Sequence, residues 1–181
     1  MIRYMNIVKG KCTDISSEGK GVVKVGKDIY FVDGLFPGEE AEITVKYQRA
    51  GVYFGKVNKL LKLSKDRIQP RCKICTACGG CQYQQINYKA QLELKTNRVK
   101  NALSRIGHIN CKVNPCLGME EPYNYRNKIQ VPYSKDRRGN VVYGFYRENS
   151  HEIIPVRGCA IEDKRASQIL WDIKELIKKM G

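Results

Sequence analysis

Between residues 72 and 81 the chain reads Cys72-Lys-Ile-Cys75-Thr-Ala-Cys78-Gly79-Gly80-Cys81, with a thiol at every third position. Thiolates at that density bind a soft metal or a cluster, or pair as disulfides. Three local sulfurs can grip one face of an iron–sulfur cluster while a fourth arrives from elsewhere in the chain. A four-cysteine zinc knot would use the same residues, and chance cysteines in a loop would use none. The Gly79-Gly80 pair lets the backbone turn tightly and offers N–H groups to bound sulfide. Spacing leaves the ligand set open. Cys72, Cys75 and Cys78 form C-x2-C-x2-C, the bacterial ferredoxin run, but Cys81 follows at x2 with no proline after it. Cys72, Cys78 and Cys81 form C-x5-C-G-G-C instead.

The compartment decides how eight cysteines are read. In a secreted chain they would form a disulfide framework. No apolar leader follows Met1-Ile-Arg-Tyr, and no run approaches membrane-spanning length. The expected location is therefore the cytoplasm, where thiols stay reduced and clustered cysteines mean metal or catalysis. Cys12, Cys111 and Cys116 have no motif around them and read as ordinary buried or half-buried thiols. Lys plus Arg number 33 against 18 Asp plus Glu, a net charge of +15 over 181 residues. That excess points to a polyanion, of which nucleic acid is the commonest. It speaks against a ferredoxin-like electron carrier, whose surface is usually acidic.

Along the chain, residues 6 to about 62 read as short strands. Val22–Val25 and Ile29–Val32 flank Gly26-Lys-Asp28, a hairpin signal. Ala41–Val45 alternates, Arg49-Ala-Gly51 turns the chain, and Val52–Val57 returns. Five or so strands in so short a stretch suggest a small closed barrel, since closure removes exposed edges. Lys46, Tyr47, Arg49, Tyr53 and Lys56 are its candidate RNA-facing residues. Residues 63–71 form a polar connection into the cysteine loop. Residues 86–107 read as a helix with an apolar stripe of Leu92, Val99, Leu103 and Ile106, most simply a core face. Asn127–Tyr133 and Val141–Tyr146 read as a strand pair around Asp136–Asn140, Glu152–Val156 as a third strand, and 162–180 as a closing helix. In that helix Ile169, Ile173, Leu176 and Ile177, with Trp171 nearby, form a face in want of a partner. The phrase Tyr123-Asn-Tyr125-Arg126-Asn127-Lys128 sets aromatics beside cations, a combination suited to stacking on unpaired bases while neutralising phosphate. His108 and His151 have no catalytic or metal constellation around them.

Four ordered blocks carry a family resemblance. Gly34-Leu-Phe-Pro-Gly-Glu39 resembles the TRAM domain, an OB-like RNA-binding barrel. C-x5-C-G-G-C, Tyr125-Arg-Asn-Lys128 and Gly144-Phe-Tyr-Arg147, with Pro155-Val-Arg-Gly-Cys159, resemble the iron–sulfur members of the RNA uracil-5-methyltransferases. The resemblance implies a [4Fe-4S] cluster on Cys72, Cys78, Cys81 and the distant Cys159, leaving Cys75 an extra thiol. It makes Arg126, Asn127, Lys128, Phe145 and Arg147 candidate RNA contacts, with large-subunit ribosomal RNA as the expected substrate. The implied fold class is α+β: a TRAM-like barrel over 1–62, then an α/β domain over 63–181 with a mainly antiparallel sheet and the cluster loop.

In this family a further domain binds S-adenosylmethionine and carries the cysteine that attacks uracil C6. Such a domain needs a glycine-rich turn after a strand and an activated thiol. Gly19, Gly21 and Gly26 lack that spacing, and no cysteine here has the family's catalytic context. The chain is thus expected to be the RNA-recognising, cluster-carrying N-terminal part of such an enzyme, with no catalytic or S-adenosylmethionine-binding residue of its own. Helices 86–107 and 162–180 would pack on the absent methyltransferase domain. Unpartnered, helix 86–107 would be free to pair with another copy. The alternative is a stand-alone zinc-ribbon RNA-binding protein.

Overall fold

The computed structural model of the chain describes residues 6–180. Its contacts form two compact units. One runs to Gln69 and resumes over Gln82–Cys116; the other comprises Pro70–Cys81 and the residues from Leu117 onward. The chain therefore divides elsewhere than at 62/63, because the helix after the cysteine loop clusters with the barrel.

The first unit is built on five strands: β1 Ile7–Ile15, β2 Gly21–Val25, β3 Asp28–Asp33, β4 Glu40–Arg49 and β5 Val52–Lys62. They close into a barrel of order β1-β2-β3-β5-β4, antiparallel except where β3 runs parallel to β5. Period-2 alternation turns Val23, Tyr30, Val32, Ala41 and Ile43 inward, where they pack with Cys12 and Leu35. The expected hairpin is present, Val25 pairing with Asp28 across Gly26-Lys27.

Between β3 and β4 the phrase Gly34–Glu39 forms a loop pinned by a buried ion pair. The Glu39 carboxylate, fully buried, accepts from Phe36 N–H (2.9 Å), Ser64 N–H (3.3 Å) and both Nε (2.5 Å) and a terminal nitrogen (2.8 Å) of Arg67. Arg67 also donates to Gly34 O (2.7 Å) and lies 4.7 Å over the Phe36 ring. The connection after β5 is thereby tied to the barrel. Asn87 then caps α2 (Tyr88–Asn101), its side chain accepting from Ala90 N–H.

The apolar stripe expected to be core is not the face on which α2 packs. The helix docks through Ala90 and Leu94 against Phe36 and Ile86, whereas Val99 is 51% and Ile106 81% exposed. The helix ends in a π-type turn over Ala102–Ile106, where Gly107 N–H bonds to Ala102 O.

The second unit holds a one-turn helix α1 (Cys75–Cys78), a sheet β6-β7-β8 (Tyr133–Lys135, Val141–Tyr146, Ile153–Pro155) and α3 (Lys164–Met180). The first of these strands is far shorter than the 127–133 expected. Pro132 has no N–H for the ladder, and only Tyr133–Lys135 pairs with β7. Tyr143, 1% exposed, anchors the unit, its hydroxyl donating to Arg157 O (3.1 Å). Tyr133 stands beside it at 5.5 Å and donates to Leu170 O (2.8 Å), which fixes α3 along β7. Among the described residues no helix is long and apolar enough to cross a membrane.

Candidate metal and RNA-binding site

The cysteine loop lies wholly in the second unit, with Cys159. It folds as the single turn α1, where Ala77 and Cys78 N–H both bond to Ile74 O (2.9 Å). Gly79 closes the turn at φ +66°, a conformation glycine adopts without strain. A second demand acts on the same residue: a Cβ on Gly79 would stand 2.9 Å from Glu148 Cβ. That approach lets Glu148 N–H bond to Ala77 O (3.0 Å), so the β7–β8 turn sits on α1.

None of the eight cysteines is paired in a disulfide. Cys75 is buried, while Cys72, Cys78, Cys81 and Cys159 are half-buried. Burial raises the Cys75 thiol above its ordinary pKa, and negative charge on Cys72, Cys81 and Cys78 raises it further. Burial likewise raises Cys159, opposed by the backbone N–H of Ile161 and Glu162 and reinforced by the charges of Glu162 and Cys81. Cys75 thus lies within electrostatic reach of Cys72, Cys78 and Cys81, and Cys159 within reach of Cys81. A bound cation would relieve the repulsion that opposes ionisation of Cys75 and Cys159. The donor set fits a thiolate-bound metal or cluster in kind. Among the described residues no three His, Cys, Asp or Glu side chains stand as a finished metal-holding group. The fold gathers the thiols without completing a coordination sphere.

Beside the segment that follows Cys159 runs the Tyr-Arg-Asn-Lys phrase. Asn124 N–H bonds to Ala160 O (3.1 Å), Arg126 N–H to Ile161 O (2.8 Å) and Asp163 N–H to Arg126 O (3.0 Å). Residues 124–126 therefore lie alongside the segment that follows Cys159. Arg126, Asn127 and Lys128 are exposed, with Arg126 Nε donating to Lys128 O (3.2 Å). Phe145 is half-buried opposite Ile154. The Arg147 guanidinium is held by Glu152 (2.7 Å), which leaves it less free for phosphate than expected.

On the barrel, Arg49 and Lys56 are exposed, and Lys46 Nζ lies 3.5 Å from Asp33. Tyr53 does not face outward. It stacks on Tyr30 (4.9 Å, 18°) and packs against the barrel core. Its neighbour Phe54 takes the outer face with Tyr47 (4.7 Å, 15°). Of the three cysteines read as buried or half-buried, Cys111 proves exposed.

Two clusters escaped the sequence reading. Arg71 lies 4.5 Å over the Tyr123 ring. Trp171 of α3 is flanked by Arg157 at 5.1 Å and Lys174 at 4.4 Å, and it borders a 420 Å³ cavity lined with it by Arg157, Lys164, Ser167 and Gln168. The lone Trp beside a basic helix was the available signal. The opposing Arg157 comes from before the helix, which periodicity within α3 could not show.

Comparison with known proteins bears directly on this arrangement. The chain is similar to RNA methyltransferases. A protein of Clostridium tetani named "Uncharacterized RNA methyltransferase" is 41% identical over 93% of this chain. Proteins of the same description from Halalkalibacterium halodurans and Staphylococcus aureus are 37% and 35% identical over 97% of it. The chain spans 36%, 38% and 39% of these relatives' own lengths. No protein-family model matches. Among solved structures, the Pyrococcus abyssi tRNA (uracil-54, C5)-methyltransferase in complex with S-adenosyl-L-homocysteine aligns with a TM-score of 0.62 at 23% identity, covering 99% of this chain and 38% of that one. At that identity the likeness speaks for the fold.

Proposed function

We propose that this chain is the RNA-recognising, cluster-bearing part of an S-adenosylmethionine-dependent RNA (uracil-C5)-methyltransferase acting on large-subunit ribosomal RNA. The observation that carries the reading is the gathering of the cysteine-loop thiols with Cys159 in one unit, beside a cationic, aromatic phrase and in a chain whose relatives are RNA methyltransferases by name. The barrel is read as a TRAM-like RNA module. A [4Fe-4S] cluster would be held by Cys72, Cys78, Cys81 and Cys159. Its role is structural: bonds from Cys72, Cys78 and Cys81 to Cys159 through the cluster join the two chain stretches that make up the second unit and restrict the unfolded chain strongly.

S-adenosylmethionine supplies the methyl group in this chemistry. The described residues offer it no strand followed by a glycine-rich turn, so its binding is assigned to parts of the relatives that this chain does not span. The chain's own work is to hold RNA. Lys46, Arg49, Lys56, Arg126 and Lys128 supply phosphate contacts, Asn127 and Phe145 contact bases, and Arg147 orients the β7–β8 turn through Glu152.

The test is an absorption spectrum near about 400 nm on protein purified without oxygen, with iron, sulfide and zinc analysis. The expected result is iron and sulfide lost in Cys72→Ser, Cys78→Ser, Cys81→Ser or Cys159→Ser and kept in Cys75→Ser. Zinc retained in Cys159→Ser but lost in Cys75→Ser would overturn the cluster and favour a zinc-ribbon RNA-binding protein. Cluster content and melting temperature unchanged in Cys159→Ser would refute the structural role.

A further inference from the structure

The outer face of the barrel carries a row of three aromatic rings that crosses three strands. Phe31 on β3 pairs with Phe54 on β5, and Phe54 pairs with Tyr47 on β4. The ring centroids lie 5.5 and 4.7 Å apart, inclined by 31° and 15°. Such a row also stabilises a sheet, so its direction and exposure matter.

Strand parity shows that the row is a deliberate departure. On β4, Ala41, Ile43 and Val45 share one parity and pack in the core. Tyr47 has the same parity and would follow them inward. Instead the register with β5 shifts between Val45 and Tyr47, so that Val45 faces buried Gly55 and Tyr47 faces Phe54. One extra residue in a strand re-aims every side chain beyond it. The bulge thus takes a tyrosine out of the core and places it, 52% exposed, at the end of the ring stack.

The surroundings select the occupant. Lys56 follows Phe54 two residues on along the same face and is exposed, as are Lys46 and Arg49 beside Tyr47. Asp33, two residues after Phe31 on β3, is already paired with Lys20 and Lys46. An aromatic stack with one open end, rimmed by cations on a chain of net charge +15, suits an anionic polymer with flat, unpaired bases. Duplex RNA keeps its bases stacked internally and offers none to extend the row.

We propose that Phe31, Phe54 and Tyr47 form a stacking platform for unpaired RNA bases, with one base continuing the stack at Tyr47 and the adjoining phosphates neutralised by Arg49 and Lys56. The inference rests on the reading of the chain as RNA-binding and specifies how the barrel would bind. The experiment measures affinity of the whole chain for a single-stranded oligouridylate and for a duplex RNA of equal length, across a series of salt concentrations. Tyr47→Ala should weaken the single-strand complex roughly 5- to 100-fold, the range for one base–aromatic stack, without changing the salt slope. It should leave duplex binding nearly untouched, and Tyr47→Phe should bind as the unaltered protein does. Lys56→Ala should instead lower the salt slope by about one unit.

Protection of the buried Cys12 thiol from alkylation reports that each variant barrel is folded. Single-strand affinity unaltered in both Tyr47→Ala and Phe31→Ala, with the unaltered chain still binding RNA, would overturn the platform and leave the RNA-binding reading standing. Absence of any RNA binding by the unaltered chain would overturn both.

Discussion

Glu39→Ala should loosen the barrel while leaving the second unit's fold in place. The carboxylate accepts four hydrogen bonds, two from the backbone and two from Arg67. The Arg67 side chain is only 14% exposed, so removing Glu39 strands a guanidinium with little water to receive it. Breaking a buried pair from one side costs about 3–5 kcal/mol, a large share of the 5–15 kcal/mol typical of a domain. Cys12 supplies the assay. It is fully buried in the barrel core, and burial pushes its thiol up to about 12, so alkylation requires the barrel to open. Where labelling follows the open population, the loss corresponds to roughly 100- to 4,000-fold faster modification of Cys12. Exposed Cys111 should react at the same rate in both proteins and serves as the control. Glu39→Ala/Arg67→Ala leaves the same two backbone N–H groups without an acceptor but removes the stranded charge, so it should cost less than Glu39→Ala alone. Acceleration below about tenfold in Glu39→Ala, or a double variant worse than Glu39→Ala, would refute the reasoning.

Two further predictions concern the second unit. Gly79→Ala combines an unfavourable positive φ with a Cβ 2.9 Å from Glu148 Cβ. It should part α1 from the β7–β8 turn and cost roughly 1–3 kcal/mol, seen as faster hydrogen exchange at the Glu148 amide; unchanged exchange there would count against the contact. Glu162 is 1% exposed, with Oε2 accepting from Ser167 and no hydrogen bond to Oε1 among the described residues. Burial raises its carboxyl pKa above the usual 4.5, against the opposing effects of the Ser167 hydrogen bond and the Arg126 charge. The folded state then holds a proton that the unfolded state releases first. Its contribution is fully present below about pH 4.5 and is lost as pH rises through the raised folded value. Glu162→Gln should flatten that slope when unfolding is followed by Trp171 fluorescence, and an unchanged pH profile would show that Glu162 does not set it.

What the sequence revealed and what it hid follow from the range of the interactions involved. Val22–Val25 and Ile29–Val32 were readable because alternation and a two-residue turn are local, and the Gly26-Lys27 hairpin needs nothing from the rest of the chain. The exchange of roles between Tyr53 and Phe54 was not readable. Strand parity is relative, and only the tertiary register, including the shift between Val45 and Tyr47, says which parity faces the core. The same limit explains α2: periodicity picked out Leu92, Val99, Leu103 and Ile106, but a helix packs on whichever face its neighbour covers, here that of Ala90 and Leu94. The cysteine loop is the instructive mixture. Its density announced soft-metal chemistry at once, yet spacing could not choose among the thiols. Burial singles out Cys75 from the other four, and Cys159 stands within the electrostatic reach of Cys81 despite its distance along the chain. A single buried thiol among half-buried ones has two physical readings: a ligand closed off from water, or a packing residue that leaves coordination to the others. Only the second is compatible with metal content that survives Cys75→Ser, so that variant decides between a locally closed knot and a bond that spans the unit.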